Sequence, residues 1–240
     1  MHNNIRIYIP RIQLHMTHDL SKPLRLVAIG MAAMLLLNAC AFRKFAHTYY
    51  AKAQKEAPYD VVIVTGIPYD DSTRSGLIFT ARVLWSKYLY DHHITNNIIY
   101  SGAAVSTRYY EGKVMKLMAD TLGIPSSRTF SEIKAEHSTE NVYYGLKMAH
   151  KLGFKKVAVA ADGFQLKMLQ KFIKNRCENI AMIPIIYDSV IPDKRQWRSL
   201  LPKINLKSAA ADSTYIRLSE RQSFSERWRG TQGKHIKYEE

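Results

Sequence analysis

From about residue 59 the chain alternates short β-branched and aliphatic runs with longer runs whose apolar positions recur at helical spacing. The short runs are Asp60 to Val64, Asn97 to Tyr100, Lys156 to Ala160 and Ile180 to Ile186, with a weaker one near Arg128 to Phe130. Their near-continuous hydrophobicity is what strands covered on both faces require, and it predicts a parallel sheet. The first long run, Ser75 to Asp91, repeats Leu77, Ala81, Leu84 and Tyr88 on one helical face. A second, Arg108 to Leu122, is closed by Gly123 and Pro125. A third begins near Ser138 as N-cap, turns Val142, Leu146 and Ala149 inward and ends at Gly153. The fourth covers Phe164 to Asn175. This order predicts an α/β fold: an open, mainly parallel, doubly wound (Rossmann-like) three-layer sheet with helices on both faces. Ligands of such sheets bind beyond the carboxyl ends of the strands, so the loops after each strand are where chemistry is expected.

The front of the chain breaks this pattern. Leu26 to Ala39 carries no charge and follows Lys22 and Arg25, the layout of a basic n-region and an apolar h-region. It falls short of the roughly 20 apolar residues that span a bilayer. Leu37-Asn38-Ala39-Cys40 at its end resembles a bacterial lipobox, in which the cysteine is acylated, so residues 1–39 read as a lipoprotein-type signal peptide and Cys40 as the lipidated residue. An uncleaved hydrophobic anchor and a buried helix are the alternatives. Met16 stands where a conventional signal would begin. Residues 40–58 then read as a tether or short helix, 59–192 as the α/β domain, and 193–240 as a basic appendage. The helical stretch of that appendage, Ser213 to Arg229, would pack on the domain or against lipid headgroups.

At 240 residues, 47% hydrophobic and 23% charged, the composition suits one globular core. Only Cys40 and Cys177 occur, so acylation of the first leaves no intrachain disulfide, and no thiolate zinc site can be built. The formal charge of +15 favours anionic lipid headgroups or phosphorylated glycans. Nucleic acid is the least expected partner of an exported chain, and simple solubility charge is the bland alternative.

The strand-end loops are Thr65-Gly66, Ser101-Gly102 and Ala161-Asp162-Gly163. Glycine allows close approach and small hydroxyls supply hydrogen bonds, so a polar or phosphorylated ligand could lie across them; ordinary turn and capping chemistry uses the same residues. Beside them stand Arg82, Glu111, Glu136, Glu140 and Asn141. Glu140 would equally serve to offset a helix dipole. His92-His93 reads as a helix C-terminal cap without a third ligand, so no metal site is predicted. Tyr109, Tyr110, Tyr143 and Tyr144 suit either sugar stacking or packing.

Taken in order, these features resemble the YdcF/SanA/ElyC family, also called domain of unknown function 218, over about residues 58–190. The matching elements are Thr65-Gly66 after the first strand, Arg82 in the first helix, Ile99-Tyr100-Ser101-Gly102-Ala103, Glu111, Leu122-Gly123-Ile124-Pro125 and Ser138-Thr139-Glu140-Asn141. The chain departs where the family continues from its fourth main strand to a histidine and an arginine: Phe164 and Lys167 stand there, beside Asp162 and Gln165.

The resemblance implies a Rossmann-like fold, a place in the cell envelope on the exported side of a membrane, and a role in envelope homeostasis. On this reading the protein binds, and as a hydrolase or transferase processes, a phosphorylated lipid-linked or glycan substrate. Arg82 would neutralise phosphate, Glu111 or Glu140 would act as acid or base, and Asn141 would orient substrate. Thr65, Gly66, Ser101, Gly102, Ser138, Asp162 and Gln165 would complete the ligand site. A non-catalytic binding or structural lipoprotein is the first alternative. A nucleotide- or S-adenosylmethionine-binding enzyme is the second, disfavoured because no G-x-G-x-x-G follows the first strand. The sequence requires no cofactor.

Overall fold

The computed structural model describes residues 41–69, 74–177, 179–193 and 195–238. The apolar segment Leu26 to Ala39 and the lipobox Cys40 lie outside the described residues. The chain divides into two compact units, Met1–Ala41 and Phe42–Glu240, and the sheet with its helices belongs to the second.

Five strands form one all-parallel sheet: β1 Val61–Thr65, β2 Ile98–Ser101, β3 Thr129–Glu132, β4 Val157–Ala161 and β5 Ala181–Pro184. Their spatial order is β3-β2-β1-β4-β5, so the chain winds outward from β1 in both directions and reverses between β1 and β4. The protein is therefore an open, doubly wound Rossmann-like α/β fold. The central strands β1, β2 and β4 are buried throughout, which is why their sequences show unbroken hydrophobicity.

Side chains alternate between two cores, as the strand period of two demands. Val62, Val64, Ile98, Tyr100, Ala158 and Ala160 join one cluster with helices α1 (residues 42–56 of this unit), α2 (Arg74–Asp91) and α3 (Glu111–Thr121). Val61, Ile63, Ile99, Val157 and Val159 join the other with α4 (Ser138–Lys151) and α5 (Gly163–Arg176). Gly145 of α4 lies directly on Ile63, where a Cβ would come within 2.6 Å of the isoleucine Cγ2.

For two segments the structure refines or alters the sequence expectation. The stretch expected as a tether or short helix is a packed helix: Ala46, Tyr50 and Ala53 of α1 are buried, and Tyr50 meets Trp85 of α2 edge-on at 5.0 Å between ring centroids. Trp85 lies on a part of α2 that is buried on nearly every side, so α1 is the layer that covers it.

The C-terminal stretch expected as one helix from Ser213 to Arg229 holds two short ones, α7 (Leu218–Arg221) and α8 (Phe224–Thr231); the four-residue α6 (Tyr187–Val190) precedes them. Ser223 caps α8 and breaks the run. Tail residues Trp197, Ala209, Leu218 and Ile236 are buried, so the appendage is part of the globule. Among the described residues no helix is long and apolar enough to cross a membrane.

Candidate functional site at the carboxyl rim of the sheet

Parallel register sets the ends of the strands level. Thr65 pairs with Ser101 and Ser101 with Glu132, while Val64 pairs with Ala160, so Asp162 follows directly on the same rim. The residues singled out at three distant loops are thus brought together.

At the point where the winding reverses, Arg82 reaches from α2 across the ends of β1 and β4. Its Nη1 donates to the carbonyls of Thr65 (2.8 Å) and Gly66 (2.6 Å). Its Nη2 donates to Asp162 Oδ2 and to Gln165 Oε1, both at 2.6 Å. Thr65 Oγ1 donates to the same Gln165 oxygen at 2.8 Å, and the other Asp162 oxygen accepts the Gln165 amide at 2.9 Å, capping α5. The Arg82 side chain is 3% exposed and that of Asp162 12%, so this is a desolvated ion pair whose terminal nitrogens and oxygens are met by backbone and amide groups, while Arg82 Nε is buried without a partner among the described residues. The crevice where doubly wound sheets commonly take ligands is here spanned by the chain's own side chains.

Glu111 lies one strand over. It opens α3, and its carboxyl group rests on the paired turns after β1 and β2. A Cβ on Gly66 would collide with Glu111 Oε2 and stand 2.5 Å from the Ser101 carbonyl; one on Gly102 would stand 2.8 Å from Oε2 and 2.9 Å from Glu111 Cβ. Both glycines are therefore required by the close seating of this carboxyl, and Gly102 also holds φ at 156°. Glu111 is 4% exposed; its backbone amide donates to the Ala103 carbonyl at 3.3 Å, whereas its carboxyl makes no hydrogen bond with the described residues. Burial raises its pKa to about 8, against a smaller opposing pull from the Arg82 charge. The group is mostly protonated at neutral pH and sits within one proton transfer of the range where general acids and bases work.

Ser101, expected as a ligand contact, is engaged within the protein. Its hydroxyl donates to Glu132 Oε2 at 2.5 Å, and the other oxygen of Glu132 accepts the Lys134 amide. Burial raises the Glu132 pKa, opposed by these hydrogen bonds. Glu132 escaped sequence reading because it ends the weakest strand; the signal available was its level with Ser101 once β3 is placed.

Glu140, Asn141 and Ser138 lie at the start of α4 and share no hydrogen bond with Arg82 or Glu111 among the described residues. The cap of this helix is His137 rather than Ser138, and Glu140 Oε2 accepts the amides of Glu136 (2.8 Å) and His137 (3.3 Å). Burial raises the Glu140 pKa, and these amides pull it back. Glu140 thus performs the helix-start role that its position also allowed. Asn141 Oδ1 is buried without a partner. Ser138 lines a groove of about 820 Å³ between α5 and the tail, with Phe172, Arg176, Trp228 and Lys234. Phe164 is 63% exposed beside the rim, 6.1 Å between ring centroids from Phe42, and the Lys167 ammonium lies over the Phe42 ring at 5.5 Å.

His92 contacts the Tyr88 carbonyl at 2.9 Å, in the last turn of α2. The tyrosines do not form one stacking surface: Tyr109 packs at the α2 side core, Tyr110 under Lys113, and Tyr143 against Tyr144 and Tyr238. The tail, whose contribution sequence reading missed, ties down the site's periphery. The Tyr110 amide, next to Glu111, donates to Ala209, and Leu218 donates to Val105.

No family model, curated protein or solved structure matches the chain.

Proposed function

We propose that the chain is an envelope-anchored, YdcF-like protein that binds a phosphorylated lipid-linked or glycan substrate at the carboxyl rim of its sheet and acts on it as a hydrolase or transferase. The observation that carries this reading is Glu111: a buried carboxyl without a hydrogen-bond partner among the described residues, seated on two glycines and holding a proton at neutral pH. Such a group is costly unless it serves chemistry. In this role it donates its proton to the oxygen of a departing phosphate or sugar and recovers it from the attacking hydroxyl or water.

Arg82 supports the site indirectly. With both terminal nitrogens bonded to Thr65, Gly66, Asp162 and Gln165, it positions the β1 and β4 loops, its charge balanced by Asp162. The overall charge of +15 favours a phosphorylated ligand over a cationic one.

That same engagement of both terminal nitrogens of Arg82 favours a second reading, in which the rim network is purely structural and the protein a non-catalytic envelope lipoprotein. One substitution separates the two. In a host strain deleted for the protein and scored for envelope barrier defects, E111Q at wild-type abundance should fail to restore the barrier. Full rescue by E111Q removes the catalytic reading.

A further inference from the structure

Two histidines and a glutamate converge where the C-terminal tail crosses the start of α4. His137 caps that helix and Glu140 lies in its first turn, and His235 comes from the tail nearly a hundred residues later. One ligand atom of each lies within 4.8 Å of the others. The two imidazoles stand 5.3 Å apart between centroids at an interplanar angle of 74°, so their planes diverge rather than stack.

The His137 Nε2 is buried without a hydrogen-bond partner among the described residues; the residue is 6% exposed and its ring lies against Gly230, where any Cβ would strike it. An orphaned imidazole nitrogen inside a protein costs free energy unless something binds it. Glu140, for its part, is held in place by the two backbone amides that its Oε2 accepts. Donors that fix a carboxylate in this way are the usual outer support of a metal ligand.

We propose that His137, Glu140 and His235 form a site for a zinc-type divalent transition metal, which staples the C-terminal tail to the body of the domain. Two imidazoles and one carboxylate are the donor set that zinc accepts at about 2.0–2.2 Å, with a fourth position left for water. Closing on the ion draws the three donors inward to a mutual spacing of about 3.3 Å, the tetrahedral spacing for such bonds. The tail supplies that movement, because His235 lies in the turn after α8 and is only partly buried.

Thr139 already donates to the Gly230 carbonyl at 2.7 Å, so tail and helix are in register before any metal binds. The site is independent of the catalytic reading of Glu111. It was hidden in the sequence because His137 and His235 share no local spacing, whereas the adjacent His92-His93 pair, visible at once, has no third ligand among the described residues.

The test uses the full chain in detergent, stripped with a chelator and titrated with Co²⁺ and then Zn²⁺. One equivalent of cobalt should give visible absorption of tetrahedral type, displaced by zinc, and zinc should raise the melting temperature and slow proteolysis after Arg227 and Arg229. H235A, which alters only the tail, should lower metal affinity on the order of 100-fold or more. H235C should restore binding through its thiolate, and the double variant of His92 and His93 to Ala should bind as wild type. The proposal fails if the folded wild type takes up no cobalt at saturating excess, or if H235A keeps the wild-type spectrum and affinity.

Discussion

Arg82 and Asp162, 80 residues apart in sequence, meet at 2.6 Å across the reversal point of the sheet, and the guanidinium binds the ends of β1 at the same time. One side chain therefore joins the two halves of the doubly wound fold. Replacing Arg82 by Met leaves a buried carboxylate and two carbonyls without their donor. The expected cost is on the order of 3–5 kcal/mol, read from chemical unfolding. A loss below about 1 kcal/mol, the scale of exposed pairs, would mean that the pair is solvated in solution.

Gly66→Ala tests the seating of Glu111. The new methyl meets the carboxyl oxygen of Glu111 and, at 2.5 Å, the Ser101 carbonyl, which as backbone of a central strand cannot retreat. The expected destabilisation is about 1–3 kcal/mol, with Glu111 displaced. At Gly123 the same probe meets nothing, though φ there is 96°, so any cost of Gly123→Ala reports backbone strain alone.

The sheet was legible in the sequence because strands buried on both faces are dominated by apolar residues, and β1 (VVIVT), β2 (IIYS) and β4 (VAVAA) are mostly Val, Ile and Ala, with a polar residue only at the rim of β1 and β2. β3 was faint because it lies at the sheet's edge and includes Thr129, Ser131 and Glu132. The rim residues Thr65, Gly66, Ser101, Gly102 and Asp162 were legible as strand ends. Arg82 and Gln165 were legible too, but the pairings were not: two of Arg82's partners are backbone carbonyls, which carry no residue identity, and Ser101 binds Glu132 on a neighbouring strand. The tail was opaque for a related reason. It docks through scattered residues such as Trp197, Ala209 and Leu218, joined by irregular backbone hydrogen bonds that leave no period to detect.

Leu218 measures how firmly that tail is held. It is 3% exposed, and its amide donates to Val105 beyond β2. Leu218→Ala should cost roughly 2–5 kcal/mol if the tail unfolds with the domain. It should also hasten tryptic cleavage at Arg217 and Arg221. Faster cleavage with an unchanged unfolding midpoint would make the tail a separate, weakly docked unit.

The two cysteines should behave oppositely. Burial pushes the Cys177 thiol up to about 11, so it stays protonated and unreactive toward a disulfide reagent at neutral pH until denaturant is added. If Cys40 is the lipidated residue, radioactive fatty acid should label the wild-type chain and not C40A, and the mature folded protein should then show no reactive thiol. One thiol titrating rapidly in the folded mature chain would argue against acylation at Cys40.

The proton on Glu111 also makes folding stability depend on pH, with a definite sign. The unfolded carboxyl loses its proton near the ordinary value of 4.5, while the folded one keeps it up to about 8. Between those values the folded state binds the extra proton, so the stabilising contribution is complete below 4.5 and is lost as pH climbs through about 8. The slope cannot exceed about 1.4 kcal/mol per pH unit for one group. Glu132 and Glu140, also raised by burial, add a decline of the same sign. Gln at position 111 reproduces the protonated shape without the charge, so it removes Glu111's share and leaves theirs. Urea midpoints of wild type and E111Q should therefore coincide near pH 4.5 and separate with rising pH, E111Q being the more stable at about pH 9. Parallel profiles across that range would mean that Glu111 is ionised in the folded protein, and the acid assigned to the rim would be lost with it.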